Sequence, residues 1–158
     1  MSMIANFRAA TDLEIARLMR EPEGITDFIE REGARELDAD KAWHAIHFLL
    51  AGQPWEGELP LGFIMAGRQI GDVDVGYGPA SALTSVEVRS VAAALAPITR
   101  EDLMSRWNRD AMREAEIYAV DPDKPDDEDE YVGVHYQALK EFVAGLATEG
   151  LGLIVYFS

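Results

Sequence analysis

Leu151-Gly152-Leu153-Ile154-Val155-Tyr156-Phe157 is the stretch whose reading decides the fold. It is continuously apolar and rich in β-formers, so it reads as a buried carboxy-terminal strand. Just before it, residues 131–148 place Val132, Tyr136, Leu139, Val143 and Leu146 on one helical face, and Gly150 closes that helix. At the other end, residues 1–7 mix apolar and polar positions without helical spacing and read as an amino-terminal strand. Strands at both ends with helices between them predict an α+β domain. Its sheet is small, mixed or antiparallel, and includes both terminal strands, with several helices packed around it. Two strands alone make a marginal sheet, and residues 61–66 and 80–83 supply further strand candidates. There is no 30-residue βαβ rhythm, which takes about 30 residues per unit, and no internal repeat.

The helices between announce themselves by their caps. Thr11-Asp12-Leu13-Glu14 and Thr84-Ser85-Val86-Glu87 both have the capping-box pattern, a hydroxyl followed three residues later by Glu. The first opens a helix with Ile15, Leu18 and Met19 on one face, stopped by Pro22. A short helix with Ile25, Phe28 and Ile29 follows, stopped near Gly33. The second box opens a helix with Val88, Val91, Ala92 and Leu95 at the spacing of one face. Thr99 with acidic Asp102, and then Asn108, open two more. Leu37-Asp38-Ala39-Asp40 starts another helix, over residues 41–51, with an Asp as its cap; Ala42, Trp43, Ile46, Leu49 and Leu50 form its apolar side and Gly52 its end. Residues 53–61, with Pro54, Gly57 and Pro60, are a loop.

Composition bounds the function. The 158 residues suit one domain over 1–158, and 48% hydrophobic with 27% charged residues is a globular balance. With no cysteine, thiolate zinc sites, iron–sulfur clusters and cysteine nucleophiles are excluded together. Fourteen Lys and Arg stand against 29 Asp and Glu, a net charge of −15. That field repels nucleic acid and anionic membrane surfaces and favours a basic protein partner. No apolar run is long enough for a membrane, and the first twenty residues lack a leader pattern, so the expected place is the cytoplasm. Residues 121–130 hold seven acids, one lysine and two prolines, and this bias predicts an acidic surface loop.

Candidate chemistry is sparse. Asp40, His44 and His47 share one side of the helix over 41–51, beside its apolar stripe. Imidazoles at i, i+3 can reach a common point, and Asp40 could fix a tautomer. A zinc site needs three or four ligands. A third would have to come from His135 or from Asp72 or Asp74, so no metal and no cofactor is assigned. Residues 71–79 contain Asp72, Asp74, Gly76, Tyr77 and Gly78. Their order fits neither a dinucleotide loop nor a P-loop. A calcium loop opened by Asp72 would need Glu at its twelfth position, which is Leu83. Tight turns requiring positive φ explain these glycines. Among the aromatics, Trp43 belongs to the core, and Trp55 in its Pro/Gly loop caps the core edge or meets a partner. Nucleophile-elbow, zincin and zinc-ribbon spacings are absent.

Four segments together carry a family resemblance: Met1-Ser2-Met3-Ile4-Ala5-Asn6-Phe7-Arg8, Leu37-Asp38-Ala39-Asp40-Lys41-Ala42-Trp43-His44, Gly76-Tyr77-Gly78-Pro79-Ala80 and Val155-Tyr156-Phe157-Ser158. In this order, across nearly the whole chain, they resemble the YfbM-like family of small bacterial proteins of unknown function. The resemblance implies a single α+β domain of the bacterial cytoplasm, and it carries over no catalytic residue. Two functions stay open. One is a non-catalytic binding protein with an acidic surface. The other is a small enzyme whose pocket, formed where the Asp40, His44 and His47 face meets the 71–79 loop, includes Asp72 and Tyr77.

Overall fold

The computed structural model describes residues 2–158, and Met1, with which the expected first strand opens, lies outside the described residues. The strands are β1 (Ala5–Ala10), β2 (Glu36–Asp38), β3 (Arg68–Gln69), β4 (Ser81–Leu83) and β5 (Gly152–Phe157). They form one five-stranded sheet in the order β2-β1-β5-β4-β3, with every neighbouring pair antiparallel. The two terminal strands pair with each other, from Ala5 opposite Phe157 to Ala10 opposite Gly152. β5 therefore lies at the middle of the sheet, as its continuous apolarity requires.

Alternation along these strands feeds two cores. Phe7, Leu83, Leu153 and Val155 point into the larger one, whereas Ala10, Ala82, Ile154 and Tyr156 point into the smaller. The helices are α1 (Asp12–Arg20), α2 (Ile25–Glu30), α3 (Trp43–Ala51), α4 (Phe63–Ala66), α5 (Ser85–Leu95), α6 (Arg100–Met104), α7 (Arg109–Glu114), α8 (Pro125–Glu128) and α9 (Val134–Thr148). Helices α3, α5 and α9 cover the larger core and α1 and α2 the smaller. The expected stripe of α9, Val132, Tyr136, Leu139, Val143 and Leu146, is wholly buried.

The cap reading is met in atomic detail. Thr11 and Glu14, and Thr84 and Glu87, exchange reciprocal bonds as capping boxes, and Thr99 with Asp102 does the same. Asn108 accepts the Ala111 N–H at 3.0 Å. Asp12, inside the first of these helices, also accepts the Ser85 N–H at 2.8 Å and the Ser85 hydroxyl at 2.5 Å. The starts of α1 and α5 are thereby tied together.

Four expectations need correction. The first strand sits at Ala5–Ala10, a few residues later than read. Residues 61–66 are not a strand but lead into the helical turn α4, which buries Phe63 and Ile64; a short apolar run carries no period that separates the two states. Residues 37–40 do not start a helix directly. Glu36–Asp38 is an edge strand held by β1, followed by the 3₁₀ turn Asp40–Ala42. Finally, the acidic segment is helical in its second half. Pro125–Glu128 passes through a π turn, Asp129–Gly133, directly into α9. Proline at the first position and acids in the first turn suit a helix start. Arg100 clamps Asp129 from α6, with Nε to Oδ1 at 2.9 Å and Nη2 to Oδ2 at 3.0 Å.

On the smaller face Arg8 is 3% exposed. It pairs with Glu36 at 2.5 Å and donates to the Arg31 carbonyl, while the Tyr156 hydroxyl donates to the other Glu36 oxygen. One carboxylate thus joins side chains of β1, β2 and β5. Leu153 lies at the centre of the sheet opposite Ala9 and Leu83. Leu153→Ala should cost about 2–5 kcal/mol through the cavity it leaves. Leu13→Ala, at a side chain 79% exposed, should stay within about 0.5 kcal/mol. Urea denaturation with an unchanged slope is the measurement, and equal midpoints for the two variants would refute the sheet-centre assignment.

Candidate functional site

Helix α3 is buried on more than its apolar stripe. Trp43, His44, Ala45, Ile46, His47, Leu49 and Leu50 are all enclosed, because the loop after Gly52 folds back along the helix and covers its second side. The histidines are the hooks. His44 Nε2 lies 2.9 Å from the Pro54 carbonyl, and His47 Nε2 lies 2.8 Å from the Glu56 carbonyl. Gly57 allows the close approach, since a Cβ there would fall 2.9 Å from His47 Cε1.

The Tyr118 N–H donates to His44 Nδ1 at 2.8 Å. The network therefore assigns the ring proton to Nε2, which donates to Pro54. On His47 the same assignment leaves Nδ1 buried with no hydrogen-bond partner. Burial drives both imidazoles below their ordinary pKa, outweighing the loop carbonyls that favour the charged form. Both rings are held neutral and both are closed to solvent.

Above His44 lies an aromatic cleft of about 240 Å³, lined by Met3, Trp43, Trp55, Tyr77, Glu116 and Tyr118. Trp43 is its closed floor, with Nε1–H donating to the Met3 carbonyl at 2.8 Å. Trp55, 54% exposed, covers His44 with ring centroids 4.4 Å apart and inclines at 60° to Trp43. The Tyr118 hydroxyl accepts the Met3 N–H at 3.0 Å. Tyr77 arrives from the 71–79 loop. There Asp74 Oδ1 accepts the N–H groups of Gly76 and Gly78 at 2.8 and 3.0 Å, which holds its carboxyl below the usual range. The Tyr77 N–H donates to the Phe157 carbonyl at 3.2 Å. Gly76 and Gly78 have φ of 145° and 93°, the positive-φ turn expected of this loop.

Of the five residues expected to share a pocket, Tyr77 lines the cleft and His44 lies one ring beneath it. His47 sits along the covering loop. Asp40, at φ 49°, lies against the Tyr131 hydroxyl, whose pKa burial and this carboxylate push up to about 12. Asp72 is exposed and accepts from Gln69 Nε2 at 3.3 Å. Both ring nitrogens of His44 are engaged by backbone, so Asp40 does not orient it. Among the described residues no group of three His, Asp or Glu could hold a metal ion, and no helix is long and apolar enough to cross a membrane. Sequence reasoning missed Met3, Glu116 and Tyr118. The last two come from a segment bent by positive φ at two non-glycine residues, Glu116 at 53° and Ala119 at 63°, and no residue pattern signals that bend.

Fold and site define a class: a single-sheet antiparallel α+β domain with an aromatic cleft at the end of its central strand. The chain belongs to the family described as domain of unknown function (DUF1877), whose model it matches over residues 1–156. It shares its fold with the crystal structure of a protein of unknown function, YfbM, from Escherichia coli. The TM-score is 0.75 at 20% identity, covering 98% of this chain and 99% of that one. No curated protein matches the chain.

The buried histidines make stability depend on pH. Their folded pKa values lie below the ordinary 6.5, so the unfolded chain binds more protons as acidity rises. Stability is therefore full above about pH 6.5 and falls as pH drops through the histidine range. The variant His44→Gln/His47→Gln, whose amides can still reach the loop carbonyls, should melt lower at neutral pH but lose less on acidification to about pH 5.5. Melting curves at the two pH values check this, and an unchanged pH slope would sink it.

Proposed function

We propose that this protein is a non-catalytic binding protein of the bacterial cytoplasm that engages a basic partner through its acidic surface and its aromatic cleft. The observation that carries this reading is Trp55, a half-exposed tryptophan at the mouth of an aromatic concavity. Large aromatic rings in partly desolvated pockets are the side chains that dominate binding surfaces. The histidines support the same reading from the other side. Proton transfer needs a ring nitrogen within reach of a substrate, and His44 and His47 spend theirs on the chain or bury them. The net charge of −15 attracts a cationic partner at long range and repels nucleic acid. The cytoplasm is proposed from the bacterial origin of the structural neighbour and a cysteine-free composition compatible with a reducing compartment.

Affinity capture from bacterial lysate tests the reading. The wild-type protein should retain a basic protein that is released as salt is raised. Trp55→Ala should weaken that retention by about tenfold or more, the loss typical of a truncated anchor. Tight binding to DNA at physiological salt, or retention indifferent to Trp55→Ala, would overturn it.

A further inference from the structure

The cleft is built for a particular charge. Its lining is mostly aromatic, with Trp43, Trp55, Tyr77 and Tyr118, and the electron-rich faces of such rings attract cations. The rings are inclined rather than parallel, 60° between Trp43 and Trp55 and 43° between Trp43 and Tyr118. They therefore form a corner instead of a flat slot. Glu116 adds a carboxylate to the lining, and among the described residues no ion pair engages it. His44, stacked beneath Trp55, has both ring nitrogens engaged by backbone, and burial holds it below its ordinary pKa.

The lining also selects among cations. A plain ammonium carries three N–H donors and is strongly hydrated, and it gives up part of that hydration against ring surface. Here the Trp43 indole is a donor already spent on Met3, and the Tyr118 hydroxyl is already engaged by Met3. Glu116 and the Tyr77 hydroxyl are the side-chain acceptors left in a lining that is otherwise mostly ring surface. An ammonium whose hydrogens are replaced by methyl groups has no such donors and gains from contact with ring faces. The volume of about 240 Å³ is below the roughly 300–1,000 Å³ of sites for drug-sized ligands, and so suits a head group rather than a whole large molecule.

We infer that the cleft formed by Trp55, Tyr77, Tyr118 and Glu116 is a recognition site for an alkylated ammonium group, carried by a small molecule or by a modified lysine side chain. This rests on the binding reading above and adds the chemistry of what the cleft receives.

The test is a tryptophan-fluorescence titration of the full chain with four probes. They are choline, its uncharged isostere 3,3-dimethylbutan-1-ol, and a short peptide containing either trimethyl-lysine or unmodified lysine. Choline or the trimethyl-lysine peptide should bind, and the tighter of the two identifies the source. The uncharged isostere should bind about fivefold more weakly than choline, the cation–π margin expected at a partly exposed site, and the unmodified peptide, charged but strongly hydrated, should bind about fivefold more weakly than its trimethyl-lysine counterpart. Glu116→Gln should weaken choline binding about twofold to fivefold, as for a solvent-facing charge pair. Trp55→Ala should weaken it more, and Trp55→Phe should recover part of the loss. Equal binding of choline and its isostere would overturn the cation assignment while leaving an aromatic binding cleft in place. Equal binding of the two peptides would overturn the preference for alkylation. Absence of binding by every probe would overturn the inference, and retention of a Trp55-dependent partner from lysate would then show that the broader binding reading survives it.

Discussion

Everything in this molecule hangs on the pairing of β1 with β5. Six residues from the start of the chain and six from its end form the two central strands, in register from Ala5 and Phe157 to Ala10 and Gly152. Each brings an outer neighbour, β2 beside β1 and β4 beside β5, and the two faces so created receive separate helical layers. Gly152 shows how closely the layers meet: a Cβ there would fall 2.5 Å from Ile15 Cδ1 and 2.6 Å from the Leu83 carbonyl. The aromatic cleft is a product of the same pairing. Phe157, at the end of β5, packs edge-on against Trp43 at 4.8 Å, and its carbonyl holds the turn that delivers Tyr77.

Polar groups inside this frame are used to fasten chain to chain. His44 and His47 anchor the 53–61 loop by its carbonyls, Arg100 anchors the acidic helix start through Asp129, and Glu36 ties Arg8 to Tyr156. In each case a side chain from one element bonds to a polar group of another. His44 and His47, whose pKa burial lowers, are enclosed by the chain, while the open concavity is lined by rings. A strongly shifted group is a functional pointer only when it faces a site, and here burial and site diverge.

Much of the fold was legible in the residues. Caps at Thr11, Thr84, Thr99 and Asn108 are local chemistry, complete within four residues, and so they read directly. The stripes on α5 and α9 and the apolar run of β5 carry their own period or burial signal. What escaped depends on distant partners. Glu36–Asp38 has a single apolar position, Leu37, too short a stretch to show a period, and it is a strand because β1 offers it a ladder. The acidic helix start depends on Arg100, supplied from 29 residues away. At the site, the sequence named the α3 helix and the 71–79 loop, and of the five residues expected together Tyr77 lines the cleft and His44 lies one ring beneath it. Histidine spacing suggested chemistry where the covering loop had claimed it. The aromatic lining could be named only in part, because Tyr118 is placed by left-handed backbone at Glu116 and Ala119. Such conformations at non-glycine residues are set by the surrounding structure rather than by local preference.

The central pairing also has a consequence in time. A ribosome making about 5–20 residues per second needs roughly 7–30 s to travel from β1 to β5. For that interval the inner edge of β1, with Phe7 between Asn6 and Arg8, has no partner on the side that β5 will occupy. The sheet cannot be finished as it is translated; it closes only when the last strand emerges. Polar side chains within an apolar strand disfavour pairing with a stray edge, and Asn6 and Arg8 are the polar residues inside β1 that, in the finished sheet, bond to Ser158 and Glu36.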